Sequence, residues 1–335
     1  MAGLEAGAQT GVHVIERFTF ENGAEVAGLK VGYATHGKLN TARDNVVLLV
    51  PGTSNNLHWA DGMLGPGKAY DAERYFFIST DAIGGGTSAQ PGDGLGTAFP
   101  RYTIRDMVRA EHAMVTEGFG LDRLLAVAGP SMGSFQGVEW GINYPDFMKG
   151  LVLIVPAARS DAHFGSIVET LTAMITSHSG YQSGAYRTNP VEAIRNGGLV
   201  YFPWIYSDDY IRTLTDAASH RAAMTAIGNQ WAENWDANSI LWRYNASRNH
   251  DASKPFGGDM RMALARIKAK CLLLVATTDR TIPAYLSREL YEGLDEAEWV
   301  DVPTIYGHLG GSRPQPGSPE YALIERYIRT FLDSL

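Results

Sequence analysis

The chain has 335 residues, enough to bury a sizeable core in one large domain or two smaller ones. Charged residues make up 19% of it and hydrophobic residues 45%, which is ordinary for a globular protein. The net charge of −8 at pH 7, with no basic run anywhere, disfavours nucleic acid or an anionic membrane surface as a partner.

Cysteine content and the N-terminal sequence restrict the protein further. The single cysteine, Cys271, excludes an internal disulfide and a zinc site built on cysteine pairs. The N-terminal stretch has no basic segment followed by an apolar one, so we expect no signal peptide. Because no apolar run is long enough to span a bilayer either, we expect a cytoplasmic protein with no membrane partner.

The strand signals change in kind along the chain. Residues 13–37 alternate apolar and polar side chains around the turn signal Glu21-Asn22-Gly23, which predicts antiparallel strands. Short runs rich in Val, Ile and Leu follow, and such runs are typical of strands buried on both faces. They are Val46–Val50, Tyr75–Ser79, Leu124–Ala128, Leu151–Val155 and Cys271–Ala276.

Helical patterns separate several of these runs. Thr103–Phe119 has apolar residues at helical spacing after a threonine suited to an N-cap, and Ser318–Leu335 begins with a serine cap followed by proline. Residues 135–144 and 282–294 also predict helices. Strands alternating with helices predict an α/β fold with a mostly parallel central sheet and helices on both faces.

The alternation stops between about Pro156 and Arg266. This part of the chain has amphipathic helical stretches and many aromatic residues, but no run typical of a buried strand. We therefore predict an inserted helical cap at residues 157–266, between the first part of the core at 1–156 and its second part at 267–335.

A serine stands where a predicted strand meets a predicted helix. Gly129-Pro130-Ser131-Met132-Gly133 matches the pattern G-x-S-x-G, which by itself is a weak signal. The strand before it and the helix after it are the context that the pattern needs, because a sharp turn then exposes the serine beside the N–H groups of a helix N-terminus. We predict that Ser131 is a nucleophile.

An acid and a histidine follow the serine in the order Ser, Asp, His. Asp279 comes just after the run Cys271–Ala276, and His308 follows the strand-like segment 298–302. Taken singly, Asp279 is explained as a cap of the helix near Ile282, and His308 as an ordinary loop histidine. In order and at strand ends, the three residues predict a catalytic triad. Alternative residues with poorer placement are His36, His58, His250 and the acid Asp301.

The chemistry assigns a role to each residue of the triad. His308 would take the proton of Ser131, and Asp279 would hold the imidazole in one tautomer. The backbone N–H groups of Met132 and Thr53 would form the oxyanion hole. No histidine spacing indicates a metal site, no cofactor is expected, and the residues that bind the substrate are not identified.

The chain resembles the homoserine O-acetyltransferase-like family of the α/β-hydrolase superfamily. The resemblance implies an α/β-hydrolase core, a helical cap, a Ser-Asp-His triad and a homodimer. The matching segments cover most of the core and one part of the cap: GPGKAYDAERYFFIS, FPRYTIRDMVRAEHAMV, LLAVAGPSMGSFQGVEWGINYPD, WDANSIL and ALARIKAKCLLLVATTDRTIPAYLSREL.

The departures from that family lie around the acyl acceptor. The acetyltransferases carry an Asp directly after the catalytic His, placed to hold the amino group of homoserine, whereas this chain has Leu309. An apolar side chain cannot pair with an ammonium group. Pro130 replaces the usual glycine, the loop VPGTSNNLHW differs, and residues 165–221 show little of the family pattern. Some members of this branch act as esterases on small acetate esters.

Three hypotheses follow. The first is a serine esterase that acts on a small-molecule acetate-type ester through an acyl-serine intermediate. The second is an acyl-CoA-dependent O-acetyltransferase, for which Arg101, Arg105, Arg187 and Arg195 are candidates to hold the CoA phosphates. The third, a non-catalytic binding protein on a hydrolase fold, is disfavoured by the intact triad.

Overall fold

A computed structural model of the chain describes residues 9–335. Residues 1–8, which belong to the stretch without a signal-peptide pattern, lie outside the described residues. The strands are β1 (Gln9–Thr19), β2 (Glu25–His36), β3 (Val46–Leu49), β4 (Phe76–Thr80), β5 (Leu124–Pro130), β6 (Met148–Ile154), β7 (Lys270–Ala276) and β8 (Ala297–Val302).

These strands form one sheet in the order β1-β2-β4-β3-β5-β6-β7-β8. Strand β2 runs antiparallel to β1 and to β4, and the other neighbouring pairs are parallel. The predicted antiparallel strands and the mostly parallel sheet are confirmed.

Helices connect the parallel strands. The α-helices of the described residues are α1 (Ile104–Ala113), α2 (Met132–Asn143), α3 (Ala162–Thr176), α4 (Val191–Ile205), α5 (Asp208–Thr213), α6 (Ala217–Asn234), α7 (Ala237–Arg248), α8 (Met260–Leu264), α9 (Ala284–Glu292), α10 (His308–Ser312) and α11 (Pro319–Asp333). A π-helical turn, Met114–Gly118, follows α1 within the stretch predicted as one helix. The predicted caps are confirmed, since Thr103 accepts from the N–H of Asp106 and Ser318 from that of Tyr321.

Strand β3 shows how the sheet is buried on both faces. Successive side chains of a strand point to opposite faces. Val46 and Leu48 pack in the hydrophobic cluster that contains α1, α2 and α9, whereas Val47 and Leu49 pack in the cluster that contains α11. The predicted helices on both faces are therefore confirmed, and the apolar run has no exposed side because both of its faces are covered.

Helices α3 to α8 lie between β6 and β7 in the chain, and the described residues there form no strand. We call these helices the cap. The predicted helical insertion is confirmed, while the division into 1–156, 157–266 and 267–335 stays a prediction. None of the helices among residues 9–335 combines the length and the apolar character needed to cross a membrane.

Candidate active site

Ser131 occupies the turn between β5 and α2. Its backbone has φ 56° and ψ −120°, a left-handed conformation that is strained for a residue with a Cβ atom. The serine is partly exposed, whereas each of the next eleven residues, 132–142, is buried. The strained turn therefore presents one hydroxyl group at the carboxyl edge of the sheet, as G-x-S-x-G predicts.

The two glycines around the serine allow this turn. A Cβ atom on Gly129 would lie 2.6 Å from Val50 Cγ2, and one on Gly133 would lie 2.6 Å from the backbone oxygen of Val50. Neither distance is tolerable, so the end of β3 and the start of α2 approach Ser131 closely only because both positions lack a side chain.

Asp279 and His308 form a buried pair behind this edge. The Nδ1–H of His308 donates to Asp279 Oδ2 at 2.7 Å, and the two side chains are 7% and 1% exposed. The other carboxylate oxygen of Asp279 accepts from the N–H groups of Thr281 and Ile282 at 2.7 and 3.0 Å. One oxygen of Asp279 therefore caps the turn before α9, which itself begins after Pro283 without a side-chain cap, and the other oxygen holds the imidazole. The catalytic role of Asp279 stays a prediction.

The alternative residues lie elsewhere. Asp301 is exposed and accepts from the indole N–H of Trp299 at 2.7 Å, so it does not contact His308. His58 pairs with Asp61 on the surface. His250 is buried against Phe135, and burial lowers its pKa to about 3.

A cavity of about 60 Å³, the inner cavity, joins Ser131, His308 and Thr53. Leu309 also lines it, together with seven cap side chains: Phe164, Tyr201, Ile205, Ile227, Gln230, Trp231 and Tyr244. Its volume holds only a few water-sized groups. Ser131 Oγ makes no hydrogen bond within the described residues; catalytic hydrogen bonds often tighten only when substrate binds.

Two backbone donors of the described residues have no partner, one in the wall of this cavity and one directly after Ser131. Among the described residues, the N–H groups of Thr53 and Met132 donate to no protein acceptor. Met132 is the first residue of α2, where a helix leaves its N–H groups unpaired, and Thr53 lies in the loop after β3. These are the two N–H groups that the sequence suggested for the oxyanion hole.

Arg243 supports the loop that carries Thr53, a role that was not predicted from the sequence. This guanidinium is fully buried in α7. It donates to the carbonyl oxygens of Thr53, Asn55 and Asp81 at 3.3, 2.8 and 2.5 Å. No local pattern in the sequence indicates this role, because the acceptors of Arg243 are backbone atoms about 160 to 190 residues away.

A second, wider cavity adjoins the inner cavity. The four arginines considered for the CoA phosphates line neither of the two. Arg105 pairs with Glu21 and Glu139, and Arg195 with Glu192. Arg101 stacks on Trp242 at 3.3 Å. Arg187 lines a separate cleft of the cap. No cationic mouth is built from these side chains.

Comparison with known proteins places this geometry in a family. The alpha/beta hydrolase fold model matches residues 45–305, more than half of the chain. A homoserine O-acetyltransferase from Symbiobacterium thermophilum is 29% identical, with 94% of this chain and 91% of that protein covered.

Two solved structures are similar over almost the whole chain. The acetyl esterase MekB is 26% identical with a TM-score of 0.89, and 97% of each chain is covered. An acetylester hydrolase from Corynebacterium glutamicum has a TM-score of 0.91 at 24% identity, covering 97% of this chain and 96% of that chain, and shows the fold. The chain belongs to the α/β-hydrolase fold family, resembles its homoserine O-acetyltransferase-like members as the sequence predicts, and is an enzyme that acts on esters or acyl groups.

Proposed function

We propose that the protein is a serine esterase that hydrolyses small acetate-type esters through an acyl-enzyme on Ser131. One observation favours hydrolysis over acyl transfer: no Asp or Glu is among the described residues that line the inner cavity or the wider cavity that adjoins it. Leu309, directly after His308, lines the inner cavity instead. An amino-alcohol acceptor would leave its ammonium group desolvated and unpaired there, which is costly.

Acylation uses the groups described above. Ser131 Oγ attacks the ester carbonyl carbon while His308 Nε2 takes the hydroxyl proton, and Asp279 holds the imidazole through Nδ1. The N–H groups of Met132 and Thr53 stabilise the oxyanion of the tetrahedral intermediate. The C–O bond to the alcohol then breaks, and His308 returns the proton to the leaving oxygen.

Deacylation repeats the same steps with water. His308 removes a proton from a water molecule, whose oxygen attacks the acyl carbon, and the intermediate collapses to free acid and Ser131. The inner cavity is small, and most of the side chains that the cap contributes to it are apolar or aromatic, which suits a short acyl group such as acetyl. The acetyl esterase MekB, similar in structure, carries a name that agrees with this substrate class.

An acyl-CoA-dependent O-acetyltransferase is the second candidate. The names of the curated relatives favour it, because the homoserine O-acetyltransferases match 84–94% of this chain. Both candidates form the same acyl-enzyme and differ only in whether water or an alcohol resolves it. The homodimer and the cytoplasmic location stay predictions.

A parallel assay separates the candidates. The purified protein is given p-nitrophenyl acetate or ethyl acetate in one series, and acetyl-CoA with homoserine in another. We expect ester turnover without release of free CoA, and a loss of about 10⁴-fold or more in Ser131→Ala. Ser166→Ala, an exposed serine of α3, is the matched control and should keep full activity.

Homoserine-dependent release of free CoA, abolished in Ser131→Ala, would contradict hydrolysis and establish the transferase. Ester turnover that survives in Ser131→Ala would contradict both candidates, since neither acyl-enzyme could form.

A further inference from the structure

Arg313 lies at the junction of two cavities. It follows α10, the short helix that begins with His308, and it lines the inner cavity together with Ser131. It also lines a wider outer cavity of about 400 Å³, which shares Ser54, Asn55 and Gln230 with the inner one. A molecule that reaches Ser131 from the outer cavity therefore passes the guanidinium.

Most N–H donors of the Arg313 guanidinium have no acceptor among the described residues. Its Nη2 donates to the side-chain oxygen of Asn55, two residues beyond Thr53. No carboxylate of the described residues lies within ion-pair distance of Arg313. A guanidinium carries five N–H donors, and the one used by Asn55 leaves the others free for a ligand.

The charges around Arg313 leave the cavities with an unbalanced positive group. Solvent reaches the side chain, yet the protein atoms around it lower the pKa of Arg313 through burial. The phenol of Tyr206 is near it, and burial raises the pKa of Tyr206 to about 12, so it stays neutral. The outer cavity otherwise offers neutral amides and His58, which Asp61 already partners.

We infer that Arg313 binds a carboxylate on the alcohol part of the substrate, so that the preferred substrates are small-acyl esters of hydroxy acids. The inference rests on the proposed esterase function. The acyl group fits the small inner cavity against its apolar cap side chains, and the alcohol part extends into the outer cavity past Arg313. The planar fork of Arg matches a carboxylate with two parallel hydrogen bonds. Leu309 rejects a cation beside His308, so the substrate is anionic rather than zwitterionic.

Two esters of equal size test the charge. We compare kcat/KM for 4-acetoxybutanoate with kcat/KM for 4-acetoxybutanamide, which differ only in the terminal carboxylate or amide. We expect the wild-type ratio to be about tenfold or more in favour of the carboxylate. In Arg313→Gln the ratio falls towards one, and in Arg313→Glu it inverts. High salt lowers the wild-type ratio because solvent reaches the pair.

The control is Arg187→Gln, which removes the same charge from a separate cleft of the cap and should keep the wild-type ratio. A wild-type ratio near one, with turnover that still depends on Ser131, overturns the role of Arg313 and leaves the esterase intact. Absence of turnover for every ester, including p-nitrophenyl acetate, contradicts the esterase itself.

Two further experiments test whether Arg313 binds a different anionic group. An Arg313-dependent preference for ethyl hydrogen succinate over ethyl acetate overturns the assignment, because the carboxylate would then belong to the acyl part. Competitive inhibition by free CoA that is lost in Arg313→Gln also overturns it, because the guanidinium would then hold a phosphate.

Discussion

The loops of the sheet and the helices of the cap meet at one cavity but differ in what they contribute. Ser131, Asp279 and His308 follow β5, β7 and β8, so the three residues of the proposed triad all lie at the carboxyl edge of the sheet. The cap contributes apolar and aromatic walls such as Phe164, Tyr201 and Trp231. In the proposed enzyme the sheet therefore positions the reacting groups, while the cap shapes the space that the substrate occupies.

Packing explains why the two regions can differ so much. In α2, which carries the turn of Ser131, eleven of twelve residues are buried. In α6 of the cap only three of eighteen are buried: Gly228, Trp231 and Ala232. A helix with a narrow buried face tolerates more substitutions, so the cap can change its cavity wall without unfolding the core.

The largest effect is expected from a substitution at the carboxyl edge of the sheet. Asp279→Asn keeps the shape but removes the charge that orients His308, and we expect kcat to fall by about 10³–10⁴-fold. The control is Asp301→Asn, the other acid suggested by the sequence, which lies outside the site and should leave kcat near the wild-type value. Equal losses in both variants, measured by steady-state kinetics, would contradict the assignment of Asp279.

A smaller effect tests a contact between the two regions. Arg243→Met removes three hydrogen bonds from the cap to the loops after β3 and β4, so the Thr53 N–H loses its fixed position. We expect kcat to fall by roughly 10–100-fold with little change in KM, because the oxyanion forms only during reaction. Arg248→Met, on the same helix α7 but paired with Glu169 at the surface, is the control. A change in KM alone would show that Arg243 serves substrate binding instead.

Substitutions of two cap tryptophans test whether the cap sets the size of the acyl group. Trp231→Leu enlarges the inner cavity, so the preference should shift from acetyl towards butanoyl and hexanoyl esters. Trp242→Leu is the matched control. Trp242 is also buried in the cap, but it donates to the Phe99 carbonyl and lies outside the inner cavity. Both should lose about 2–4 kcal/mol of stability. If both variants shift the acyl-chain preference equally, general loosening of the cap explains it.

The smallest effect concerns stability in the core alone. Glu111 of α1 is buried, accepts from the Trp140 indole, and burial raises its pKa from 4.5 to about 8. The folded state therefore holds this proton more tightly than the unfolded state, and the resulting stability is lost as pH rises from about 5 through 8. Glu111→Gln mimics the protonated form, so its Tm should fall less over that range.

Thermal unfolding at several pH values checks this, with the exposed Glu292→Gln as control. Parallel pH profiles of the wild type and Glu111→Gln would contradict the raised pKa of Glu111.

Much of the sheet side could be predicted from local signals. The strand runs are apolar because both of their faces are covered, and the Gly-x-Ser-x-Gly turn needs its glycines within five residues of chain. The order of Ser131, Asp279 and His308 follows from their places after strands. The cap aromatics could not be sorted in the same way, because Trp231 and Trp242 both lie in helical stretches and only Trp231 lines the inner cavity.

The sheet, the helical insertion and the three candidate triad residues can be predicted from the amino-acid sequence, because each depends on a pattern within one strand, helix or strand end. The tertiary structure alone decided which side chains converge there: Arg243 beneath the Thr53 loop, Arg313 beside Asn55, and the absence of acidic groups from the described cavity walls. Hydrophobic periodicity and turn chemistry act over a few residues and can be read along the chain. The cavities bring together residues as far apart in the sequence as Asn55 and Arg313, which are 258 positions apart, and only the packing of whole elements does this.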